Sequence, residues 1–168
     1  MEIVGPADSP VANPDIAELP ARALSNPRPD PTSPNQRSWR AAEIPAANGQ
    51  AAAQGLGRIY GAIANGGELG GATVITQAGI DRLRMPLHKG PDQLLGPRQW
   101  AAGVNLDVAP IFGPRAETFG HTGWGGAFGC ANVELGVGIG YVMNRMGSRL
   151  VGNPRGASLC AAIFDCLG

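Results

Sequence analysis

Three short apolar runs in the last third of the chain, separated by glycine-rich turns, constrain the fold most. Their composition predicts β-strands over Glu117 to Thr122, Ala127 to Val133 and Val137 to Asn144. The connections between them are too short for a crossover, so neighbouring strands must run antiparallel. A further strand is predicted over Gln99 to Leu106, after a loop from Lys89 to Pro97. The sequence therefore predicts an antiparallel meander.

Helical periodicity appears on both sides of this meander. One amphipathic helix is predicted between a cap at Asn48 and a stop at Asn65, with apolar residues at helical spacing, namely Leu56, Ile59, Tyr60 and Ile63. A second begins at Thr76 and ends before Pro86. A third runs from Arg155 to Cys166 and is expected to pack on the sheet through Leu159, Ile163 and Phe164. Gly138 and Gly140, on one face of the last strand, leave room for a close neighbour.

The fold class that follows is α/β in the α+β sense, an antiparallel sheet flanked by helices. Residues 1–38 contain eight prolines and no sustained apolar period, which predicts an extended or disordered segment. Residues 39–168 hold all the predicted elements and form the folded part.

Charge and composition exclude several function classes. Thirteen basic residues balance thirteen acidic ones, so the chain lacks the field that a nucleic acid or an anionic membrane would require. No apolar run is long enough to span a membrane, and Met1 to Pro6 does not resemble a secretion signal, which predicts a cytoplasmic protein. Free, buried thiols are expected at the three cysteines, Cys130, Cys160 and Cys166, and no metal or organic cofactor is expected.

The block Phe119-Gly120-His121-Thr122-Gly123-Trp124-Gly125-Gly126 carries the clearest chemical signal. Its glycines let a ligand approach the backbone closely, so that a carbonyl oxygen could meet the amide of Trp124. His121 can donate or accept a proton at the edge of the same cleft, and Thr122 adds a hydroxyl. The same pattern also occurs in purely structural hairpins, and the block alone does not decide between the two.

The first block continues through Ala127-Phe128-Gly129, and two further blocks stand in order with it. They are Glu43-Ile44-Pro45-Ala46-Ala47-Asn48-Gly49 before it and Gly138-Ile139-Gly140-Tyr141-Val142-Met143-Asn144-Arg145-Met146 after it. Together the three resemble the serine β-lactamase-like family of class C β-lactamases, DD-peptidases and family VIII carboxylesterases, with the esterase branch most similar. The resemblance runs from about Trp39 to the end. It implies that residues 39–168 are the C-terminal part of a β-lactamase-like sandwich.

The resemblance also implies roles for individual residues. His121-Thr122-Gly123 matches the family's Lys-Thr-Gly or His-x-Gly strand motif, which makes His121 a catalytic candidate and Trp124 a donor of one oxyanion-hole amide. Thr122, Gly123, Gly125 and Gly126 would bind substrate, a small ester or β-lactam. No nucleic acid, membrane or cofactor is implied, and self-association is possible for a partial fold.

Two elements of the family pattern are missing from the sequence. The residues three places after each serine are Ala12, Arg28, Gln36, Ala41, Val151 and Ala161, so Ser-x-x-Lys is absent, and neither tyrosine begins Tyr-x-Asn. A thiol at Cys130, on the strand next to His121, is not a convincing substitute because an apolar strand raises its pKa. We therefore expect either a serine hydrolase portion that is inactive alone or a non-catalytic domain that binds a small acyl or peptide ligand or a partner protein.

Overall fold

Six antiparallel strands form the main sheet of the structure, a computed structural model that describes residues 22–25, 30–92, 94–106 and 109–168. The strands are β3 (His88–Asp92), β4 (Gly96–Trp100), β5 (Asn105–Leu106), β6 (Phe119–Thr122), β7 (Phe128–Asn132) and β8 (Val137–Tyr141). Each strand pairs with its neighbours in sequence, in the order β3-β4-β5-β6-β7-β8. The predicted meander is confirmed.

Helices cover both faces of this sheet. The covering helices are α2 (Ala53–Ala64), α3 (Gln77–Arg84) and α4 (Pro154–Leu167), and a short helix α1 (Arg37–Ala41) precedes them in the chain. A small ladder of β1 (Glu68–Leu69) and β2 (Ala72–Thr73) lies between α2 and α3. The predicted fold class, an antiparallel sheet flanked by helices, is confirmed. No helix among the described residues is both long and apolar enough to cross a membrane.

Helix α2 lies on β8 at backbone distance. A Cβ added to Gly140 would lie 2.6 Å from the carbonyl oxygen of Ala53 and 2.7 Å from Cβ of Leu56, and one added to Gly138 would overlap the backbone of Gly61. The two strand glycines therefore admit the helix, as the sequence predicted. Beside this contact Ile63 packs against Phe119 and Ala131 in the first part of the core.

Helix α4 covers the opposite face of the sheet. Phe164 and Cys160 are fully buried there, in one cluster with Phe112 and Phe128. Asn153 caps the helix by accepting a hydrogen bond from the Arg155 amide at 2.9 Å. The predictions for Ile163 and Phe164 are confirmed, but Leu159 is 49% exposed and does not pack on the sheet.

The segment predicted as a loop from Lys89 to Pro97 is instead a hairpin of β3 and β4. The predicted strand Gln99 to Leu106 is divided, because Ala101 to Val104 form a turn closed by a bond from the Ala101 amide to the Val104 carbonyl at 2.9 Å. Strand β3 contains glycine and proline and has no alternating apolar pattern. Its conformation depends on pairing with β4, which local composition does not reveal.

The N-terminal boundaries also differ in detail from the sequence prediction. Helix α2 begins at Ala53, and Asn48 does not cap it, because its side-chain amide bonds the carbonyls of Trp39 and Ala42. Most of the segment predicted to be extended or disordered lies outside the described residues. Within the described part, Ser33–Asn35 form a single turn of 3-10 helix rather than an extended chain.

Candidate active site

The His121–Gly126 segment forms the end of β6 and the turn that leads to β7. The amide of Gly123 donates to the carbonyl of Ala127 at 2.7 Å, and the amide of Gly126 donates to the carbonyl of Gly123 at 3.1 Å. Gly125 has a φ of 86°, which together with the second bond defines a type II turn with Trp124 at its second position. The sequence-predicted site residues therefore lie together, at the end of β6 and in the tight turn that follows it.

Gly125 and Gly126 are buried, and both contact the segment that precedes α4. The Gly125 amide donates to the Arg149 carbonyl at 3.2 Å, and its carbonyl accepts from the Gly147 amide at 2.7 Å and from the Asn153 side chain at 3.1 Å. A Cβ on Gly125 would lie 2.7 Å from Met146, and one on Gly126 would lie 2.5 Å from the Asn153 amide nitrogen. Packing against Met146 and Asn153 thus explains why both positions require glycine. The contact of these glycines with substrate stays a prediction.

Trp124 presents a backbone amide without an acceptor among the described residues. The neighbouring amides of Gly123, Gly125 and Gly126 are all bonded to carbonyls, whereas no such bond involves the Trp124 amide. Its indole Nε1 is buried and also lacks a partner within the described part of the chain. The Trp124 amide thus lacks an acceptor within the described part, on a turn that Arg149, Gly147 and Asn153 hold in place. An unpaired amide on a fixed turn is the geometry expected of an oxyanion donor.

His121 is exposed at the end of β6, and its ring orientation is fixed on one side. Its Nδ1 lies 2.8 Å from the carbonyl oxygen of Thr122. Because a carbonyl can only accept, this contact requires a proton on Nδ1, and Nε2 of the neutral ring is then an acceptor. Thr122 is half-buried and Gly123 exposed, so the outer rim of the turn is accessible to a ligand.

A second contact to His121 comes from residues that the sequence interpretation missed. The ring of Trp100 packs on that of His121 with centroids 5.6 Å apart. The Trp100 indole donates to Oδ2 of Asp92 at 3.1 Å. Asp92 and Trp100 are brought together by the β3–β4 hairpin, which was predicted as a loop, so no local signal linked them to the site.

The carboxylate of Asp92 is itself held by several donors. Its Oδ1 accepts from the amides of Leu94 and Leu95 at 2.8 and 2.9 Å. Desolvation raises the pKa of this carboxyl, but these amides, the Trp100 indole and Arg98 outweigh it and lower the pKa below its usual value. Asp92 is therefore a stable anion that fixes the Trp100 ring beside His121.

Tyr60 of α2 lies on the face of the sheet to which the His121 side chain points. Gly129, opposite His121 in the sheet, has no side chain, and a Cβ there would overlap the Tyr60 ring. Burial raises the pKa of the Tyr60 hydroxyl, and the Cys130 thiol acts in the same direction, while the His121 amide acts against it. The phenol is neutral at physiological pH and serves as a packing surface for the strand.

Cys130 does not form a pair with His121. It lies opposite Gly120, one residue away from the His121 register, so its side chain points to the other face of the sheet. There it is fully buried with Cys160, and the hydrogen bond between the thiols together with burial raises the pKa of Cys130 far above its usual value. Both thiols are free and buried, as predicted, whereas Cys166 is exposed, contrary to the prediction.

Metal ligands are not grouped in the described part of the chain, where no cluster of three or more His, Cys, Asp or Glu side chains could hold an ion. His88 lies on the edge strand β3, and it is exposed.

Comparison with known proteins decides the family. The Beta-lactamase family model matches residues 7–161. The chain belongs to the β-lactamase family. Its 41% identity over 114 residues to the esterase/beta-lactamase LipL of Mycobacterium tuberculosis covers 66% of this chain and 25% of LipL. This family membership confirms the resemblance drawn from the three sequence blocks.

Two solved structures give the same assignment for the fold. A family VIII carboxylesterase matches with a TM-score of 0.87 and 36% identity, over 98% of this chain and 43% of that one. A penicillin-binding protein homologue from Caulobacter crescentus matches with a TM-score of 0.82 and 37% identity, over 98% of this chain and 44% of that one. The β-lactamase-like fold is thus confirmed, and the chain spans less than half the length of these structures.

Proposed function

We propose that this β-lactamase family chain provides the oxyanion wall of a serine hydrolase that acts on short-chain carboxylic esters or β-lactams through an acyl-enzyme. The Trp124 amide, which has no acceptor among the described residues, lies on a turn anchored by Arg149, Gly147 and Asn153 and carries the proposal. The esterase and esterase/β-lactamase descriptions of its relatives support this substrate class.

In the proposed chemistry the Trp124 amide stabilises the negative oxygen that develops when a nucleophile attacks a carbonyl carbon. A preorganised donor of this kind acts without rearrangement at the moment of reaction, and removing one typically lowers kcat by about 10²–10³. Nε2 of His121, an acceptor in the neutral ring, is placed to hold or exchange a proton with the substrate side of the cleft.

The nucleophile must lie on polypeptide outside these 168 residues, because no serine here is followed at the third position by a lysine. A serine hydroxyl reacts poorly until a neighbouring base takes its proton. The buried thiol of Cys130 cannot replace it, since its raised pKa keeps it protonated. The chain alone should therefore bind acyl ligands without turning them over.

The missing Ser-x-x-Lys also favours a second function, a non-catalytic domain that binds a small acyl or peptide ligand or a partner protein. In that case the same Trp124 amide and exposed Gly123 would form a binding rim. The two functions predict different results when the rest of the fold is supplied. The first predicts hydrolysis, and the second predicts binding without hydrolysis.

The test compares the chain alone with a mixture. The second polypeptide is the part of the family VIII carboxylesterase that this chain does not match, purified separately. Each sample receives p-nitrophenyl acetate, nitrocefin and a fluorophosphonate that labels activated serines. We expect no labelling and background turnover for each polypeptide alone, and ester turnover with labelling of the added polypeptide in the mixture.

Labelling of any serine of this chain would refute the claim that it carries no activated nucleophile. A mixture that forms a complex, binds added acetate and yet stays silent with all three reagents would favour the non-catalytic function.

A further inference from the structure

The imidazole of His121 has a single hydrogen bond to the described part of the chain, and that bond is local. Its Nδ1 contacts the carbonyl of Thr122, the next residue in the chain. A contact between chain neighbours does not tie the ring to another element, and the side chain is exposed. Such a side chain can change its rotamer at the end of a strand. A fixed orientation of the ring therefore needs a second contact from outside β6.

Trp100 supplies this second contact through its own ring. The centroids of the indole and the imidazole are 5.6 Å apart and their planes are inclined by 34°, within the range in which aromatic rings attract each other. The sheet register brings the two residues together. Trp100 lies opposite Asn105 on β5. Asn105 in turn lies opposite Gly120, the chain neighbour of His121.

Asp92 holds the indole of Trp100 in this place. Nε1 of the indole donates to Oδ2 of Asp92 at 3.1 Å, while Oδ1 accepts from the backbone amides of the β3–β4 turn, those of Leu94 and Leu95. Hydrogen bonds to a charged acceptor are about twice as strong as bonds between neutral groups. The carboxylate is thus bonded through both oxygens. The Trp100 ring cannot swing away from His121 without breaking a charge-assisted bond.

We propose that Asp92 and Trp100 are positioning residues for His121, and that Asp92 acts on His121 through Trp100. The Trp100 ring packs against the imidazole and the Thr122 carbonyl keeps the proton on Nδ1, which leaves Nε2 as the acceptor of the neutral ring. The effect on hydrolysis rests on the proposed function, whereas the orientation of the ring does not. Misplacing a reacting group by about 1 Å can lower a rate by about 10²-fold.

Two-bond proton–nitrogen NMR correlations of the imidazoles test the orientation in the full chain alone, because they distinguish the two neutral tautomers. The chain has two histidines, so His88→Gln assigns the remaining signals to His121. At alkaline pH, where imidazole is neutral, we expect the parent to carry the His121 proton on Nδ1. Trp100→Leu and Asp92→Asn should each raise the share of the tautomer protonated on Nε2. Asp81→Asn, which alters an exposed carboxylate on α3, should match the parent.

Kinetics of the two-polypeptide mixture with p-nitrophenyl acetate test whether the orientation matters for hydrolysis. Asp92→Asn and Trp100→Phe should each lower kcat by about 10-fold to 10²-fold while KM changes little, because the imidazole acts in the transition state. Since Asp92 acts through Trp100, Asp92→Asn should have no further effect in the Trp100→Phe background. Asp81→Asn is again the control and should retain the kcat of the parent.

An unchanged His121 tautomer in both Trp100→Leu and Asp92→Asn would overturn the inference. Additive losses of kcat in the double variant would also overturn it, because Asp92 would then act through the turn rather than through Trp100. If circular dichroism shows that Trp100→Leu does not fold, Trp100→Phe takes its place in the tautomer comparison. A tautomer change without any hydrolysis by the mixture would support the positioning of the ring and refute the proposed function alone.

Discussion

Replacing Gly140 by alanine tests the packing of α2 on β8, on which the position of Tyr60 against Gly129 depends. The new methyl would lie 2.6 Å from the Ala53 carbonyl oxygen and 2.7 Å from Cβ of Leu56, where ordinary contacts begin at 3.4 Å. Its nearest neighbour would be the Gly57 amide nitrogen at 2.4 Å, so the helix must retreat by roughly 1.0 Å to restore ordinary contact. A gap of this size loses about a quarter to a half of the dispersion energy along the contact.

Overpacking of this kind typically lowers the free energy of unfolding by about 1–3 kcal/mol. Because the nearest neighbours of the new methyl are rigid backbone atoms, we expect Gly140→Ala to lower it by about 3 kcal/mol. Gly55→Ala on the same helix is the matched control, since a Cβ there meets nothing within 4 Å. Removing a helical glycine should raise stability by about 0.5–1 kcal/mol. Urea unfolding followed by circular dichroism measures both. A Gly140→Ala variant within about 0.5 kcal/mol of the parent would refute the close packing.

Three further predictions concern single side chains. Ellman's reagent should modify Cys166 in the native chain and reach Cys130 and Cys160 only after unfolding, because these two are fully buried; rapid reaction of all three thiols would contradict the structure. Asn153→Ala should lower the free energy of unfolding by about 2 kcal/mol in urea, since it removes both the α4 cap and a bond to the Gly125 carbonyl; no change would show that the turn is held by other contacts. The pKa of Asp92 is lowered in the fold, so its contribution to stability is present above its ordinary value near 3.8 and is lost as pH falls through the folded value. Asp92→Asn should then be less stable than the parent at pH 6 and lose this difference at pH 2, which urea unfolding at the two pH values checks; an equal difference at both would contradict it.

The sequence predicted those elements whose local pattern agrees with the fold. Helix α3 has a capping Thr76 and a stop at Pro86, and its observed bounds follow both. The meander of β6 to β8 follows from short apolar runs and glycine turns. In each of these segments propensity, turn chemistry and packing agree, which is why local sequence was sufficient.

The elements and contacts that the sequence did not predict depend on residues that are distant from them in the chain. Strand β3 exists because it pairs with β4, and Asp92 reaches Trp100 only through that hairpin. The turn residues His121 to Gly126 were recognised from the family motif, yet the sequence did not reveal that Gly125 and Gly126 are packed against Met146 and Asn153. The unbonded amide of Trp124 likewise depends on where its neighbours find acceptors.

The proposed function depends most on the Trp124 amide, and removal of that amide is its most direct test. The second position of a type II turn accepts proline, and Gly123 before it tolerates the restriction that proline imposes. Trp124→Pro therefore deletes the N–H with little change in backbone, while Trp124→Phe retains the N–H as a control for the lost indole. In the two-polypeptide mixture, kcat for p-nitrophenyl acetate should fall by about 10²–10³ more in the proline variant than in the phenylalanine variant. Equal kcat values for the two variants would show that the Trp124 amide does not stabilise the oxyanion.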